Sequence, residues 1–156
     1  MKKIEFVSVA TTFNPKHHSG QEAKINPNGS LHLNISVAHD FKQDQWAMVE
    51  LGVRNNTKAN SYRTLLQYDF NICRSFGKSQ SKFLTDLASG IFQQGTMPMK
   101  CPVMKGNYFW TLNPSTFNIP AFVLPNVYRV IFCTYIRLKS AKEFIGNTSV
   151  IVKVTK

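Results

Sequence analysis

Period-two alternation of apolar and polar residues limits this chain to few folds, because side chains along a strand point to opposite faces in turn. Leu31, Leu33, Ile35 and Val37 alternate with His32, Asn34 and Ser36 directly after a Pro27-Asn28-Gly29 turn. Ala47, Val49, Leu51 and Val53 repeat the pattern. Tyr62, Thr64, Leu66, Tyr68, Phe70 and Ile72 follow, opposed by Arg63, Gln67, Asp69 and Asn71. Near the end Tyr128, Val130, Phe132, Thr134, Ile136 and Leu138 share one face, and Arg129, Arg137 and Lys139 lie on the other. A turn at 139–142 then leads to a last strand over Ser149 to Val154. The start, MKKIEFVSVA, reads as a first strand, since Glu5 interrupts the apolar run before a signal-peptide core develops.

Only one segment has helical spacing: Phe83, Leu84, Leu87, Ala88, Ile91 and Phe92 behind a Ser79 cap. Seven or eight short strands without βαβ alternation predict an all-β antiparallel sandwich with one short covering helix. A chain of 156 residues fits one such domain spanning 1–156.

Nineteen Lys and Arg against eight Asp and Glu give a net charge of +11. No acid stands between Asp86 and Glu143, a span that holds Lys100, Lys105, Arg129, Arg137, Lys139 and Lys142. Such a field attracts phosphates, sulfated glycans or anionic lipid head groups. The cations are scattered singly, which speaks against nucleic acid as the partner. The uncharged stretch 106–128 is broken by Pro114, Pro120 and Pro125, so no membrane span is expected. The sequence is that of a soluble chain, either cytosolic or the mature form of a secreted protein whose leader Met1 replaces.

Cys73, Cys101 and Cys133 are too few and too far apart for a zinc ribbon or a CxxC redox pair, which leaves free thiols or one disulfide plus a spare. Asn28, Asn34, Asn55 and Asn147 begin glycosylation sequons, which matter only in a secreted chain.

Catalytic constellations are hard to place. Gly77-Lys78-Ser79 resembles the tail of a phosphate-binding loop, but Ile72 stands where that loop requires glycine. His17 and His18 follow Pro15 and read as surface loop residues, with no HExxH, GxSxG or paired-carboxylate pattern beside them. His32 and His39 would face opposite sides of a strand. No metal, cofactor or enzymatic activity is therefore expected. Cys133 alternates with Arg129 and Arg137; a reactive thiol and a small residue packed on the second sheet face are the two readings, and packing is the simpler. What remains is the aromatic supply: Tyr108, Phe109 and Trp110 in succession, Phe117 and Ile119 before Pro120, and Ala121 to Leu124 between two prolines. Consecutive aromatics load both strand faces. They build either a Phe-rich core or two sheets splayed around an apolar cavity, with the Pro-bounded loop at its mouth.

The run Tyr62-Arg-Thr-Leu-Leu-Gln-Tyr-Asp-Phe-Asn-Ile-Cys-Arg-Ser-Phe76, the helix, Cys101-Pro-Val-Met-Lys-Gly-Asn-Tyr-Phe109 and Ile119-Pro-Ala-Phe-Val-Leu-Pro-Asn-Val-Tyr-Arg129 together resemble the insect CheA/CheB-type chemosensory family. That family is related to the ganglioside activator and the ML lipid-recognition proteins, and the likeness covers roughly residues 60 to 154. It implies a secreted sandwich of immunoglobulin-like build that holds a lipid or other hydrophobic ligand between its sheets, without catalysis, in chemosensation. It also implies a Cys73–Cys101 disulfide. Residues 1 to 72 hold none of the family's further cysteines, and Pro125-Asn126-Val127 replaces its common Pro-x-Gly.

Alternation and likeness together nominate Leu66, Tyr68, Phe70, Phe109, Phe117, Phe122, Leu124 and Phe132 as ligand contacts. Lys100, Lys105 and Arg129 are nominated at the rim, facing an acidic head group, a receptor or an anionic surface. The rival expectation is a basic extracellular protein- or glycan-docking module with a filled core.

Overall fold

The computed structural model describes residues 2–56, 60–75 and 101–156. Eight strands run β1 (Lys3–Phe13), β2 (His18–Ile25), β3 (Leu31–Val37), β4 (Gln45–Arg54), β5 (Tyr62–Asn71), β6 (Gly106–Leu112), β7 (Asn126–Arg137) and β8 (Lys142–Thr155). A single helical turn, α1 (Ile72–Ser75), follows β5, and a 3-10 turn (Pro114–Thr116) follows β6. The helix expected over 79–92 lies outside the described residues.

The strands form two antiparallel sheets, one of five strands in the order β1-β8-β7-β4-β5 and one of three in the order β2-β3-β6. The protein is thus an all-β sandwich. Strands with clean alternation fall where the sequence places them. β2 does not announce itself, because its buried positions include His18 and Gln21 rather than apolar residues. Burial of both His17 (3% exposed) and His18 (4%) corrects the reading of them as surface loop residues. Pro15 starts a turn in which the His17 and His18 N–H groups both donate to the Asn14 carbonyl, and this turn carries the rings inward.

Local chemistry sets the connections. Between β2 and β3, Gly29 adopts a φ of +87°, which favours glycine, and Ser30 donates from both its N–H and its hydroxyl to Asn28 Oδ1 (3.0 and 2.7 Å). The β7–β8 hairpin closes through Leu138 N–H to the Ala141 carbonyl at 2.8 Å. Asn71 ends β5 and caps α1, accepting from the Cys73 and Arg74 N–H groups at 2.9 and 3.1 Å. Cys73 is joined to Cys101 in a disulfide with Cα atoms 5.5 Å apart, so the implied pairing is present.

Among the described residues, three buried clusters pack the sandwich. Phe6, Leu31, Trp110 and Leu112 pack with Val9, Val150 and Val152, which joins the three-stranded sheet to β1 and β8. Val37, Phe41, Val103, Ile136 and Ile145 close one end of the molecule. Val53, Tyr128 and Val154, with Ile4, Leu51, Ile119 and Val123, close the other. Each fully buried aliphatic or aromatic side chain of this kind contributes roughly 1.5–3 kcal/mol by leaving water.

Candidate functional site

Directly opposed residues of an antiparallel pair share a face, so the register identifies what points between the sheets. On β4 and β5, Ala47 opposes Phe70, Val49 opposes Tyr68 and Leu51 opposes Leu66. On β4 and β7, Val49 opposes Phe132, Leu51 opposes Val130 and Ala47 opposes Thr134. These rows place Leu66, Tyr68, Phe70 and Phe132, four of the nominated contacts, on one continuous surface with Val49, Leu51 and Val130. It is the same face on which Tyr128 and Val53 are buried.

Among the described residues, none closes this surface over. Leu66 is 43% exposed, and Tyr68, Phe70, Val49, Leu51, Val130 and Phe132 are half-buried. The Tyr68 and Phe70 rings stack with centroids 6.0 Å apart. Among the described residues, the three buried clusters and the apolar side chains packed against them include no member of β5, since the three-stranded sheet lies over β1 and β8. Along Ala47, Val49 and Leu51 and the residues opposite them, Tyr68 is the one titratable side chain; past the register shift after Leu51, Arg63 stands opposite Val53 at the end of the same face. It is chemically equipped for apolar contact. Val49, Leu51 and Val130 were legible from the same alternation as the nominated four.

The other nominated residues lie elsewhere. Phe109 projects from β6 opposite to Tyr108 and Trp110, which pack in the core, and its ring lies 6.2 Å from His32. Phe117, half-buried, meets Phe6 edge-on at 6.4 Å and packs against the Phe6–Trp110 cluster. Phe122 and Leu124 are 77% and 68% exposed on the loop before β7. Lys105 stands at the opposite end, where its N–H donates to Asp40 Oδ1 at 2.8 Å. Arg129 lies on the outer face, 3.7 Å from Glu50 and 4.9 Å above the Tyr62 ring. It does not border the Leu66–Phe132 surface. Lys100 lies outside the described residues.

Cys133 sits on the outer face opposite Met48, and burial, then Asp69, pushes its thiol up rather than down. The packing reading therefore holds against the thiolate one. Nearby, the Tyr135 hydroxyl donates to Asp69 Oδ2 at 2.5 Å, and Lys142 Nζ lies 3.3 Å from the same oxygen. That hydrogen bond holds Asp69 below its ordinary value, and burial with the same bond raises Tyr135. Both groups are locked in their resting protonation states and serve as structure.

A polar chain crosses the end of the sandwich near β2. His17 Nε2 is 2.6 Å from Glu143 Oε2, His17 Nδ1 is 2.8 Å from His39 Nε2, and His39 Nδ1 is 3.0 Å from the Asp40 carbonyl. Lys16, then His17, hold Glu143 below the usual carboxylate range. The contacts hold both rings in line between the Glu143 carboxylate and the Asp40 carbonyl. His18 is separate: its Nδ1 lies 2.8 Å from Gln21 Oε1, and burial pulls its pKa down. These partners are up to 126 residues away, and no local pattern marks them.

Among the described residues, no group of three or more His, Cys, Asp or Glu could hold a metal ion, and no helix is long and apolar enough to cross a membrane. Of the sequon residues, Asn28 and Asn55 are exposed, while Asn34 and Asn147 are half-buried within strands.

Residues 49–130 match a family model described as "Protein of unknown function (DUF1091)", and no match is found among curated proteins. The matched segment contributes every nominated member of the open apolar face except Phe132.

Proposed function

The chain belongs to the family so described, and we propose that it is a secreted, non-enzymatic carrier that holds a lipid or other hydrophobic ligand against the inner face of β4, β5 and β7. One observation carries this reading: Val49, Leu51, Leu66, Tyr68, Phe70, Val130 and Phe132 form a continuous apolar surface that points between the sheets yet stays partly exposed. Each methylene that a long-chain ligand buries there contributes about 0.8 kcal/mol, so roughly ten carbons supply useful affinity without a polar anchor. The Cys73–Cys101 disulfide supports an oxidising, extracellular setting. The immunoglobulin-like, ML-type build and a role in chemosensation are the finer part of the proposal, and they rest on the sequence likeness.

The test is native mass spectrometry of protein secreted from insect cells, before and after organic extraction, on the wild type and Leu66→Asp. A mass excess of a few hundred daltons that extraction removes, and that Leu66→Asp lacks, is the expected result. A bare protein mass in the wild type, with unchanged thermal stability after extraction, overturns the carrier reading and favours a docking module with a filled core.

A further inference from the structure

At the end of the sandwich opposite the His17–Glu143 chain, one loop presents large apolar side chains to solvent. Phe122 and Leu124 are 77% and 68% exposed between Pro120 and Pro125. Four carbonyls and one N–H of the loop backbone beneath them are bonded within the protein. Lys2 Nζ donates to the carbonyls of Pro120 (3.4 Å), Ala121 (2.6 Å) and Val123, Val123 N–H donates to Pro120 (3.0 Å), and the Tyr128 hydroxyl donates to Leu124 (2.6 Å). Carbonyls already bonded to protein need no water, which lowers the cost of bringing the loop into an apolar medium. Two prolines stiffen the presentation.

The surroundings of this tip are basic. The register brings Lys3 beside Thr155, Arg54 beside Tyr62 and Asn126 beside Val154, so Lys3, Arg54, Arg63, Lys153 and Lys156 gather at the end of the five-stranded sheet that starts β7. Among the described residues none of these five forms an ion pair, and Glu5 is the one acid near them. Arg54 and Arg63 line a depression of about 220 Å³ together with Val53, Asn55, Asn56 and Asn126. Asn126 directly follows Pro125, so the depression adjoins the apolar loop. Guanidinium and amide donors around such a hollow suit the oxygens of a phosphate.

An apolar tip with bonded carbonyls, ringed by an excess of cations, has the chemistry of a surface that meets anionic lipid. We propose that this end of the molecule docks on an anionic phospholipid bilayer, with Phe122 and Leu124 entering the acyl boundary and Arg54 and Arg63 taking a headgroup phosphate. The inference goes beyond the carrier reading and does not depend on it, since the docking end and the Leu66–Phe132 face are built from different residues. The charge term acts within about a Debye length of the membrane and weakens with salt.

The experiment is vesicle flotation with pure phosphatidylcholine and with phosphatidylcholine containing phosphatidylserine, at low and high salt, with inorganic phosphate as a soluble competitor. Wild-type protein should float with the phosphatidylserine vesicles at low salt, and millimolar phosphate should not release it. Arg54→Gln with Arg63→Gln should weaken partitioning on the order of 30-fold. Phe122→Ser with Leu124→Ser should weaken it at least about tenfold. The charge-matched control Lys42→Gln with Lys139→Gln, at the opposite end, should leave it unchanged. All three double variants should keep the wild-type melting temperature and the extractable mass excess, which separates this test from that of the carrier reading. Equal binding to both vesicle types, equal loss in the control, or release by phosphate alone would each overturn the proposal.

Discussion

His18 provides a quantitative test of the buried polar layer beneath β2. Its side chain is 4% exposed, and burial is the largest influence on its pKa, which lies below the ordinary histidine value. A base whose folded pKa is lowered is protonated first in the unfolded chain. Its influence on stability is therefore absent at high pH and becomes unfavourable as pH falls through the unfolded value of about 6.5. One proton limits the slope to about 1.4 kcal/mol per pH unit, and the loss by pH 5 to about 2 kcal/mol. In a chain of this size that corresponds to a fall of roughly 4–8 °C in Tm. The informative perturbation is His18→Asn, which sets an amide N–H where Nδ1 stands and keeps a donor for Gln21 Oε1 while removing the titration. Urea unfolding of both proteins at several pH values between 7.5 and 5 gives the difference in slope. Groups common to both proteins cancel in that difference to first order. Wild type should lose more stability than the variant by up to the stated ceiling. Parallel curves would show that His18 is not held neutral and would refute the buried-layer argument.

Other perturbations probe the rest of the fold. Gly146→Ala places a Cβ 2.6 Å from Gln21 Oε1, and Gln21 cannot step aside without losing His18 and Thr11, so thermal unfolding should show a cost of about 1–3 kcal/mol. Ile145, fully enclosed in the cluster with Phe41 and Val103, should cost about 3 kcal/mol when cut to alanine, read by urea denaturation. Replacing Cys73 and Cys101 together by alanine frees a loop with a sequence separation of 28, and loop-closure entropy sets the expected loss near 3.5 kcal/mol by the same assay. Leu66→Asp, on a residue 43% exposed, should change stability by less than about 1 kcal/mol while abolishing ligand retention, which separates the binding face from the core.

Much of the architecture was legible in the chain because side-chain alternation is a local property of extended backbone. Leu31–Val37 begins and ends where the alternation does, and β4, β5 and β7 extend only one or two residues beyond theirs or stop one short. The same alternation brought Leu66, Tyr68, Phe70 and Phe132 to one face, since β4 lies between β5 and β7 and keeps both in register. It could not rank the aromatics outside regular strands. Phe117 packs against the Phe6–Trp110 cluster and Phe122 faces open solvent, though both follow a proline closely.

Composition and period alone determined that this chain folds into antiparallel strands with excess positive charge, because hydrophobic burial on a pleated surface needs only the right residue at every second position. Which surfaces stayed open was decided by the tertiary arrangement. Among the described residues, the three-stranded sheet closes over β1 and β8 rather than β5, which leaves one apolar face half-covered. His17, His18 and Gln21 are buried because Glu143, His39, Thr11 and Thr148 arrive from distant parts of the chain to meet their polar atoms. A buried polar group is tolerated only where its partners are, and those partners are brought together by strand pairing across the whole chain.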